Sequence, residues 1–498
     1  MQRKYTVLFM PSGRRIEVKE GTTILDAARM ADIEISAPCG GTGRCRKCTV
    51  IISSEEFLAC QTPVHEDITV YIPEEATLRV LEETVDSDTP LECVEKFGIA
   101  VDIGTTTVVA SLVDLSSGKT IRTEASENRQ RIFGEDVLSR MLYADSEKRR
   151  KKMQSLIVNT VNGLIKKLQE KIKIDDIEKC VFSGNTVMIH FLLGEDTKYL
   201  RLNPDTHIFN LKNEIKAKDL GLILDGETDI FCIPGIASYV GGDIVADILV
   251  SELHKEEGIS ILVDVGTNGE IAIGSKEFIA ACSCSAGPAF EGGEVECGMR
   301  AVEGAIEKLK IKDGRFFFET IGNKDPRGLC GSGLIDLIAC IFREGIIDKS
   351  GNIRSGEERI SITDDIWIRE REIKSIIRTK AAIYAGMKAL ISEMGLGIED
   401  IERIYIAGGF GHFINMENAI TIGLFPDLPH KKFFFLGNGS LAGAKAVLIS
   451  DSKKKESYKI AESATHIDLS KSKVFQEEYM ASLFLPHTDL NNFPTVKG

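Results

Sequence analysis

One pattern occurs twice in this 498-residue chain, and it sets the architecture. The first copy is Phe97-Gly98-Ile99-Ala100-Val101-Asp102-Ile103-Gly104-Thr105-Thr106-Thr107-Val108. The second is Ile261-Leu262-Val263-Asp264-Val265-Gly266-Thr267-Asn268-Gly269-Glu270-Ile271, with its aspartate 162 residues further on. Each reads as a buried strand that ends in Asp-x-Gly-Thr and turns into a second strand. Glycine followed by hydroxylic residues makes a tight hairpin whose amides and hydroxyls can surround a phosphate. An aspartate at the strand end can reach Mg2+ through water. One D-x-G-T can be a plain hairpin turn, whereas two copies in like context predict two similar halves. A third glycine motif, Ile404-Tyr405-Ile406-Ala407-Gly408-Gly409-Phe410-Gly411, feeds a strand into Gly-Gly ahead of a helix. That arrangement lets backbone approach a nucleoside closely.

Ahead of the first copy, Cys39, Cys45, Cys48 and Cys60 are spaced C-x5-C-x2-C-x11-C. The first three lie on a glycine-rich loop, Pro38 to Cys48, and the fourth in Phe57-Leu58-Ala59-Cys60-Gln61. Four thiolates at such spacing can hold a 2Fe–2S cluster, and the pattern is close to the plant type. Glycines permit the backbone angles of a loop wrapped round a cluster and aim amides at its sulfurs. C-x2-C also suits zinc, which more usually takes two short pairs. Disulfides are a third reading, weakened because Met1-Gln2-Arg3-Lys4 leads straight into a strand rather than a secretory signal. Around the loop the expected order is strands at 4–10 and 15–18, a helix capped by Thr23, then strands at 49–52 and 68–73. That order resembles a two-iron ferredoxin of the β-grasp fold over residues 1–73. The x5 spacing is nearer the adrenodoxin-like branch, and the x11 interval is shorter than in either branch.

Residues 74–96 are acidic, with Glu74, Glu75, Glu82, Glu83, Asp86, Asp88, Glu92 and Glu95, and read as a linker. A flexible linker of that length spans about 25–30 Å on average; packing against the body is the alternative. The net charge of −14 argues against nonspecific nucleic-acid binding. No run of 18 apolar residues offers a membrane span. Twelve cysteines, mostly scattered, suit buried thiols in a reducing cytoplasm. Residues 136–171 predict one or two helices, with the Lys/Arg run at 148–152 on a solvated face. Asn185 and Asp243 sit at strand-to-helix junctions, where Asn185 can line the cleft and Asp243 can contact a metal or water. Cys282, Cys284, Cys297 and Cys330 are spaced poorly for a second cluster and read as buried thiols. His190 and His412 read as packing histidines. Leu441–Ile449 reads as a closing helix, and residues 484–498, without periodicity, are expected over the surface.

Together the three glycine motifs resemble the phosphate-1, phosphate-2 and adenosine motifs of the acetate/sugar kinase, Hsp70 and actin superfamily, over residues 97–460. The resemblance implies an actin-like ATPase of two RNase-H-like halves with ATP in the cleft between them. It also implies that Asp102, Gly104, Thr105 and Thr106 hold Mg2+ and phosphates from one side. Asp264, Gly266, Thr267, Asn268 and Gly269 do so from the other, and Gly408 and Gly409 lie at the adenosine. Glu270 is a candidate for positioning the attacking water; a strand-end salt bridge is its plainer role. The fold class expected is therefore a mixed α+β and α/β multidomain chain. Its parts are a cluster domain at 1–73, a linker at 74–96, ATPase halves at 97–258 and 259–460, and a C-terminal extension at 461–498.

A ferredoxin passing electrons downhill needs no nucleotide. Each tenfold step in a one-electron equilibrium is about 59 mV, so ATP is useful when the acceptor lies far uphill. The whole-chain order resembles the reductive activators of corrinoid proteins. Carrying the likeness are the cluster loop, Leu58-Ala59-Cys60-Gln61, Val101 through Thr106, Asn128 through Arg140, Ser285 through Gly293 and Gly408-Gly409-Phe410-Gly411. The resemblance implies ATP-driven reduction of a Co(II) corrinoid protein to the Co(I) form used by methyltransferases in anaerobic metabolism, with an external electron donor; a homodimer stays open. The segment between cluster and ATPase is shorter than in larger members. Two alternatives remain: an ATP-dependent activator of radical dehydratases, and a non-enzymatic ATP-binding redox sensor. A kinase with a fused ferredoxin is least favoured, since nothing marks a sugar pocket.

Overall fold

The computed structural model describes residues 3–31, 33, 35, 37, 41, 43, 48–53, 55–72, 96–134, 136–171, 177–202, 212–409 and 414–496. Cys39, Cys45, residues 74–95 of the expected linker, His412 and the Phe410-Gly411 part of the third glycine motif lie outside them.

The N-terminal part has strands β1 (Lys4–Met10) and β2 (Arg14–Lys19), helix α1 (Ile24–Met30), and strands β3 (Thr49–Ile52), β4 (Glu55–Leu58) and β5 (Ile68–Tyr71). Its sheet runs β2-β1-β5-β3-β4, with β1 and β5 parallel and the other pairs antiparallel. Thr23 starts α1 by accepting the Asp26 amide at 3.1 Å. Ile24, Leu25, Ala27 and Ala28 of α1 turn inward, into a core that includes Val7, Phe9, Val50 and Val70. This is the expected β-grasp.

The next sheet is built from β6 (Phe97–Ile103), β7 (Thr107–Asp114), β8 (Thr120–Glu127), β9 (Ile177–Gly184), β10 (Glu214–Lys216) and β11 (Asp229–Cys232). Its helices are α2 (Val137–Tyr143), α3 (Glu147–Leu168), α4 (Thr186–Leu193), α5 (Lys198–Leu202), α6 (Ala217–Leu220) and α7 (Gly242–Ser251). The third sheet contains β12 (Ile259–Val265), β13 (Gly269–Gly274) and β14 (Ile279–Cys284). A side sheet and hairpin follow: β15 (Ala305–Lys312), β16 (Arg315–Thr320), β17 (Gly328–Leu329), β18 (Arg359–Ser361) and β19 (Trp367–Arg369). Strands β20 (Ile401–Ala407), β21 (Phe433–Gly437) and β22 (Thr465–His466) complete the third sheet. Its helices are α8 (Gly331–Arg343), α9 (Glu370–Glu393), α10 (Met416–Thr421), α11 (Gly439–Ile449), α12 (Asp451–Ser463) and α13 (Lys473–Ser482).

The two large sheets share one plan. The orders β8-β7-β6-β9-β11 and β14-β13-β12-β20-β21 match strand for strand. In each, three antiparallel strands are followed by two parallel ones. The duplication predicted from two short motifs thus extends over both halves. Strands β6 and β12 are apolar runs buried almost throughout, and Asp102 and Asp264 are the polar interruptions near their ends.

Helices are exchanged between the halves. Helix α11 packs on β6, β7 and β9 of the first sheet, α7 packs on β12, β13 and β21 of the second as well as on β9 of the first, and the two helices lie against each other. Their shared core includes Ala100, Val181, Val245, Leu249, Leu262, Ala272, Ala444 and Leu448. The helices approach closely because position 443 is glycine: a Cβ there would stand 2.5 Å from the Ala246 Cβ.

The chain end departs from the surface course expected for 484–498. Leu485 and Phe493 are buried. Lys380 of α9, itself fully buried, donates to the carbonyls of Phe484 at 2.8 Å and Pro486 at 2.7 Å. Single apolar residues at irregular spacing have no periodicity to reveal them, but they fill a site whose polar centre is a lysine. Replacing it orphans two carbonyl acceptors. Lys380→Met is therefore expected to cost about 2–4 kcal/mol in denaturant unfolding and to speed hydrogen exchange over 484–496. An unchanged exchange pattern would refute the clamp.

Candidate functional site

The two repeated hairpins face each other across the halves. In the first, the Gly104 amide donates to the Thr107 carbonyl at 2.9 Å, and a Cβ on Gly104 would lie 2.6 Å from that oxygen. Asn128 Nδ2 holds the Gly104 carbonyl at 2.9 Å, and Arg140 Nη2 holds the Thr105 carbonyl at 2.6 Å. In the second, the Gly266 amide donates to the Asn268 carbonyl and the Gly287 amide to the Thr267 carbonyl, each at 3.0 Å. A Cβ on Gly269 would stand 2.7 Å from Cys284 Sγ. Thr106 Oγ1 and Thr267 Oγ1 are 3.4 Å apart, so the loops meet. Gly408, at φ +102°, lets the end of β20 press against the second hairpin, where its Cβ would be 2.5 Å from the Val265 carbonyl. Gly184 is its counterpart in the first half: at φ +154° its Cβ would be 2.7 Å from the Ile103 carbonyl. Apart from its chain neighbours, no atom of the described residues would lie within 4 Å of a Cβ on Gly409.

Between the hairpins lies a group of acidic side chains. Burial pushes Asp243 up to about 7, helped by the charge of Asp102. It pushes Asp264 up to about 8, with Asp243, Asp102 and Glu291 adding repulsion. Asp247 and Glu270 are driven well above the usual carboxylate range by the same two causes. Asp102 is also raised by burial, against the hydrogen bonds it receives from Ser440 Oγ at 2.7 Å and Asn438 Nδ2 at 3.0 Å. Those two residues begin α11 and belong to the other half. Sequence reading placed that helix but missed its partner; an Asn-Gly-Ser turn ahead of a helix was the available signal. Gly439 between them faces Asp247, whose two carboxylate oxygens are buried and accept no hydrogen bond from the described residues.

Such a site suits a divalent cation, which lowers the proton affinity of carboxylates beside it. Among the described residues no three His, Cys, Asp or Glu side chains could hold a metal by themselves. Mg2+ asks for less: one or two carboxylates, with water and phosphate supplying the rest. The orphaned oxygens of Asp247, with Asp102, Asp243 and Asp264, fit that pattern. Asn185 caps α4 through the Val187 amide at 3.0 Å. His190 is a packing residue, bonded to the Thr186 carbonyl at 2.7 Å and to the Tyr199 hydroxyl, and burial pushes it down to about 4. Burial pushes the Cys284 thiol up to about 12 and raises Cys282 well above the ordinary thiol value.

In the N-terminal domain, Cys48 and Cys60 are buried with sulfurs 3.2 Å apart, beyond the about 2.05 Å of a disulfide. The short x11 interval now has a cause. Strands β3 and β4 pair from Thr49↔Leu58 to Ile52↔Glu55, joined by residues 53 and 54 alone. Cys48 and Cys60 flank this hairpin, and the Ala59 amide donates to the Cys48 carbonyl at 2.8 Å. That pairing brings both thiols to the same end of the two strands. Gly41 (φ +87°) and Gly43 (φ +77°) stand against Cys60 and Gln61, whose Nε2 donates to the Gly41 carbonyl at 3.2 Å. Converging thiols under a glycine loop fit a 2Fe–2S group.

Family models match along almost the whole chain. Residues 8–65 match a 2Fe–2S iron-sulfur cluster binding domain, 97–256 the RACo middle region, and 258–497 the C-terminal domain of RACo, the ASKHA domain. The corrinoid activation enzyme RamQ of Eubacterium limosum is 30% identical, with 95% of this chain and 98% of the relative covered. The chain belongs to the family of reductive activators of corrinoid proteins. The aligned length of 584 residues exceeds this activator's 498, so that relative carries segments absent here. The Co(II) methylated-amine-specific corrinoid protein reductase of Methanosarcina barkeri is 24% identical over 78% of this activator and 76% of the relative. A solved structure, a reductive activator for corrinoid, iron-sulfur protein, superposes with a TM-score of 0.76 at 32% identity, covering 99% of this activator and 100% of that chain. The activator thus combines a 2Fe–2S ferredoxin domain with a nucleotide-binding actin-like body. No helix among its described residues is long and apolar enough to cross a membrane.

Folded, Asp243 and Asp264 keep their protons up to about 7 and about 8, against 3.8 unfolded. Between those values the folded state binds more protons, so the stability these two groups contribute is fully present below 3.8 and is lost as pH rises towards about 8. Its Tm is expected to be lower at about pH 8.5 than at about pH 5.5, and Asp264→Asn, which carries no proton to lose, should shrink the difference. Equal pH slopes in the two proteins would show that the cleft does not set this dependence.

Proposed function

We propose that this activator uses ATP to drive an electron from its 2Fe–2S cluster to a Co(II) corrinoid protein, returning cobalt to Co(I). The observation that carries the reading is the meeting of the two hairpins at hydrogen-bond distance over buried carboxylates, in a chain that also carries a cluster fold. An ordinary electron carrier has no need of such a cleft.

In this reading residues 1–73 form the cluster unit, 74–96 the linker, 97–258 and 259–460 the ATPase halves, and 461–498 an extension. Cys39, Cys45, Cys48 and Cys60 would hold the cluster, which supplies one-electron storage when bound. Gln61 braces the loop. The amides and hydroxyls of Gly104, Thr105 and Thr106 grip phosphate oxygens from the first half, and those of Gly266, Thr267, Asn268 and Gly269 from the second. Gly408 and Gly409 leave room for the nucleoside. Asp102, Asp243, Asp247 and Asp264 would face Mg2+, two of them at most in direct contact. Glu270 pairs with Asp264 across β12 and β13, which puts both side chains on one face, and it orients the attacking water. An external donor supplies the electron. Different affinities of the nucleotide-bound and nucleotide-free bodies for the corrinoid partner make the uphill transfer feasible. A cytoplasmic setting suits the buried thiols of Cys180, Cys232, Cys282, Cys284, Cys330 and Cys340, none of them in a disulfide.

The test is anaerobic mixing with a Co(II) corrinoid protein, followed optically for Co(I) with and without ATP. Cys48→Ser is expected to abolish Co(I) formation while nucleotide binding persists. Asp264→Ala is expected to keep the cluster spectrum and to lower ATP hydrolysis by about 10–100-fold. Reduction that proceeds equally well without ATP would refute the coupling.

A further inference from the structure

The loop from Ser285 to Gly293 carries one carboxylate into the meeting point of the two hairpins. Glu291 Oε2 accepts the Thr106 hydroxyl at 2.8 Å and the Thr267 hydroxyl at 2.9 Å. Thr106 belongs to the first half and Thr267 to the second, so one oxygen ties the halves together. Its place is built. The Gly287 amide is fixed on the Thr267 carbonyl at 3.0 Å, and Thr379 Oγ1 of α9 holds the Ala286 carbonyl at 2.8 Å. Gly292, at φ +79°, lies so close to the next segment that a Cβ would be 2.5 Å from the Met299 amide nitrogen. Glu291 also lies beside the second hairpin: a Cβ on Gly266 would be in ordinary contact with its Oε1, at 3.5 Å. Beyond the loop, Arg300 forms a further tie between the halves, 2.6 Å from Glu127.

We infer that Glu291 makes the cleft discriminate a nucleoside triphosphate from a diphosphate, by standing in for the terminal phosphate when none is bound. This rests on the proposal that the hairpins bind ATP. Each threonine hydroxyl has one proton to donate. A carboxylate oxygen and a phosphate oxygen are alike as anionic acceptors, and they cannot both take that proton. The negative charge already raising Asp264 makes a second anion beside Glu291 costlier still. A triphosphate therefore displaces Glu291 and takes both hydroxyls. A diphosphate, one phosphate shorter, leaves the clasp closed. Displacement also frees the loop that leads to Arg300, so the presence of the terminal phosphate reaches a contact outside the cleft. Glu291 acts here as a specificity-determining residue, and no bond is made or broken at it.

The experiment uses the full chain with Mg2+ and compares wild type, Glu291→Gln and Glu291→Ala by calorimetry against AMPPNP and ADP. Glu291→Ala is expected to tighten AMPPNP binding about tenfold, since the competing charged hydrogen bonds are gone, and to leave ADP within about twofold. Glu291→Gln, neutral but still able to accept, should fall between. In wild type, hydrogen exchange over 285–300 should rise with AMPPNP and stay unchanged with ADP, a readout that needs no variant. Parallel changes for both nucleotides, no change for either, or weaker AMPPNP binding would overturn the inference while leaving ATP binding intact. Wild-type protein that binds neither nucleotide would overturn the ATP reading itself, and this inference with it.

Discussion

The exchange of α7 and α11 between the two halves is the contact on which the cleft depends. Helix α11 covers the first half's sheet, α7 lies between the second half's sheet and β9 of its own half, and the two helices touch where Gly443 meets Ala246. The apolar core so formed is common to both halves, and burial of that kind is the main force available to hold them. The same exchange carries Asn438 and Ser440 at the start of α11 to Asp102 in the first half. Packing and chemistry are thus coupled through one helix. A shift of α11 on its sheet would withdraw hydrogen bonds from a buried carboxylate.

That core forces like charges together. Asp102, Asp243, Asp247, Asp264 and Glu270 converge where hydration is poor, and two oxygens of Asp247 have no described partner. Without a cation the cleft answers by holding protons. A protein that kept five such groups only for stability would do better with apolar residues. Their retention is understandable if a cation and phosphates arrive together, so nucleotide affinity and stability draw on the same electrostatic imbalance.

The sequence revealed those features in which one residue breaks a local pattern. Asp102 and Asp264 interrupt apolar strands, so the duplication and both hairpins were legible, and the Cys48/Cys60 spacing pointed to the N-terminal fold. Contacts between distant segments were not legible. Asn438 and Ser440 reach Asp102 across more than three hundred positions, and Glu291 reaches Thr106 across 185. None of them sits in a periodic run. The x11 interval looked anomalous because spacing carries no record of how closely β3 and β4 follow each other as paired strands. The chain end was misplaced because Leu485 and Phe493 fit a cavity organised by Lys380 rather than a helix face or a strand face.

The helix exchange has a consequence for how the molecule is made. During synthesis the strands of the first sheet emerge well before α11, the helix that covers part of their face and completes the setting of Asp102. Until residues 439–449 follow, the part of that face on β6 and β7 lacks its cover and the first hairpin belongs to an unfinished site. The halves therefore cannot mature one after the other as independent units, despite their common plan. From the completion of that sheet at Cys232 until α11 follows, the nascent chain carries an incompletely covered sheet, the condition under which domains need protection from association with one another. Duplication supplied two copies of a fold, and the exchange of helices made them a single unit of folding.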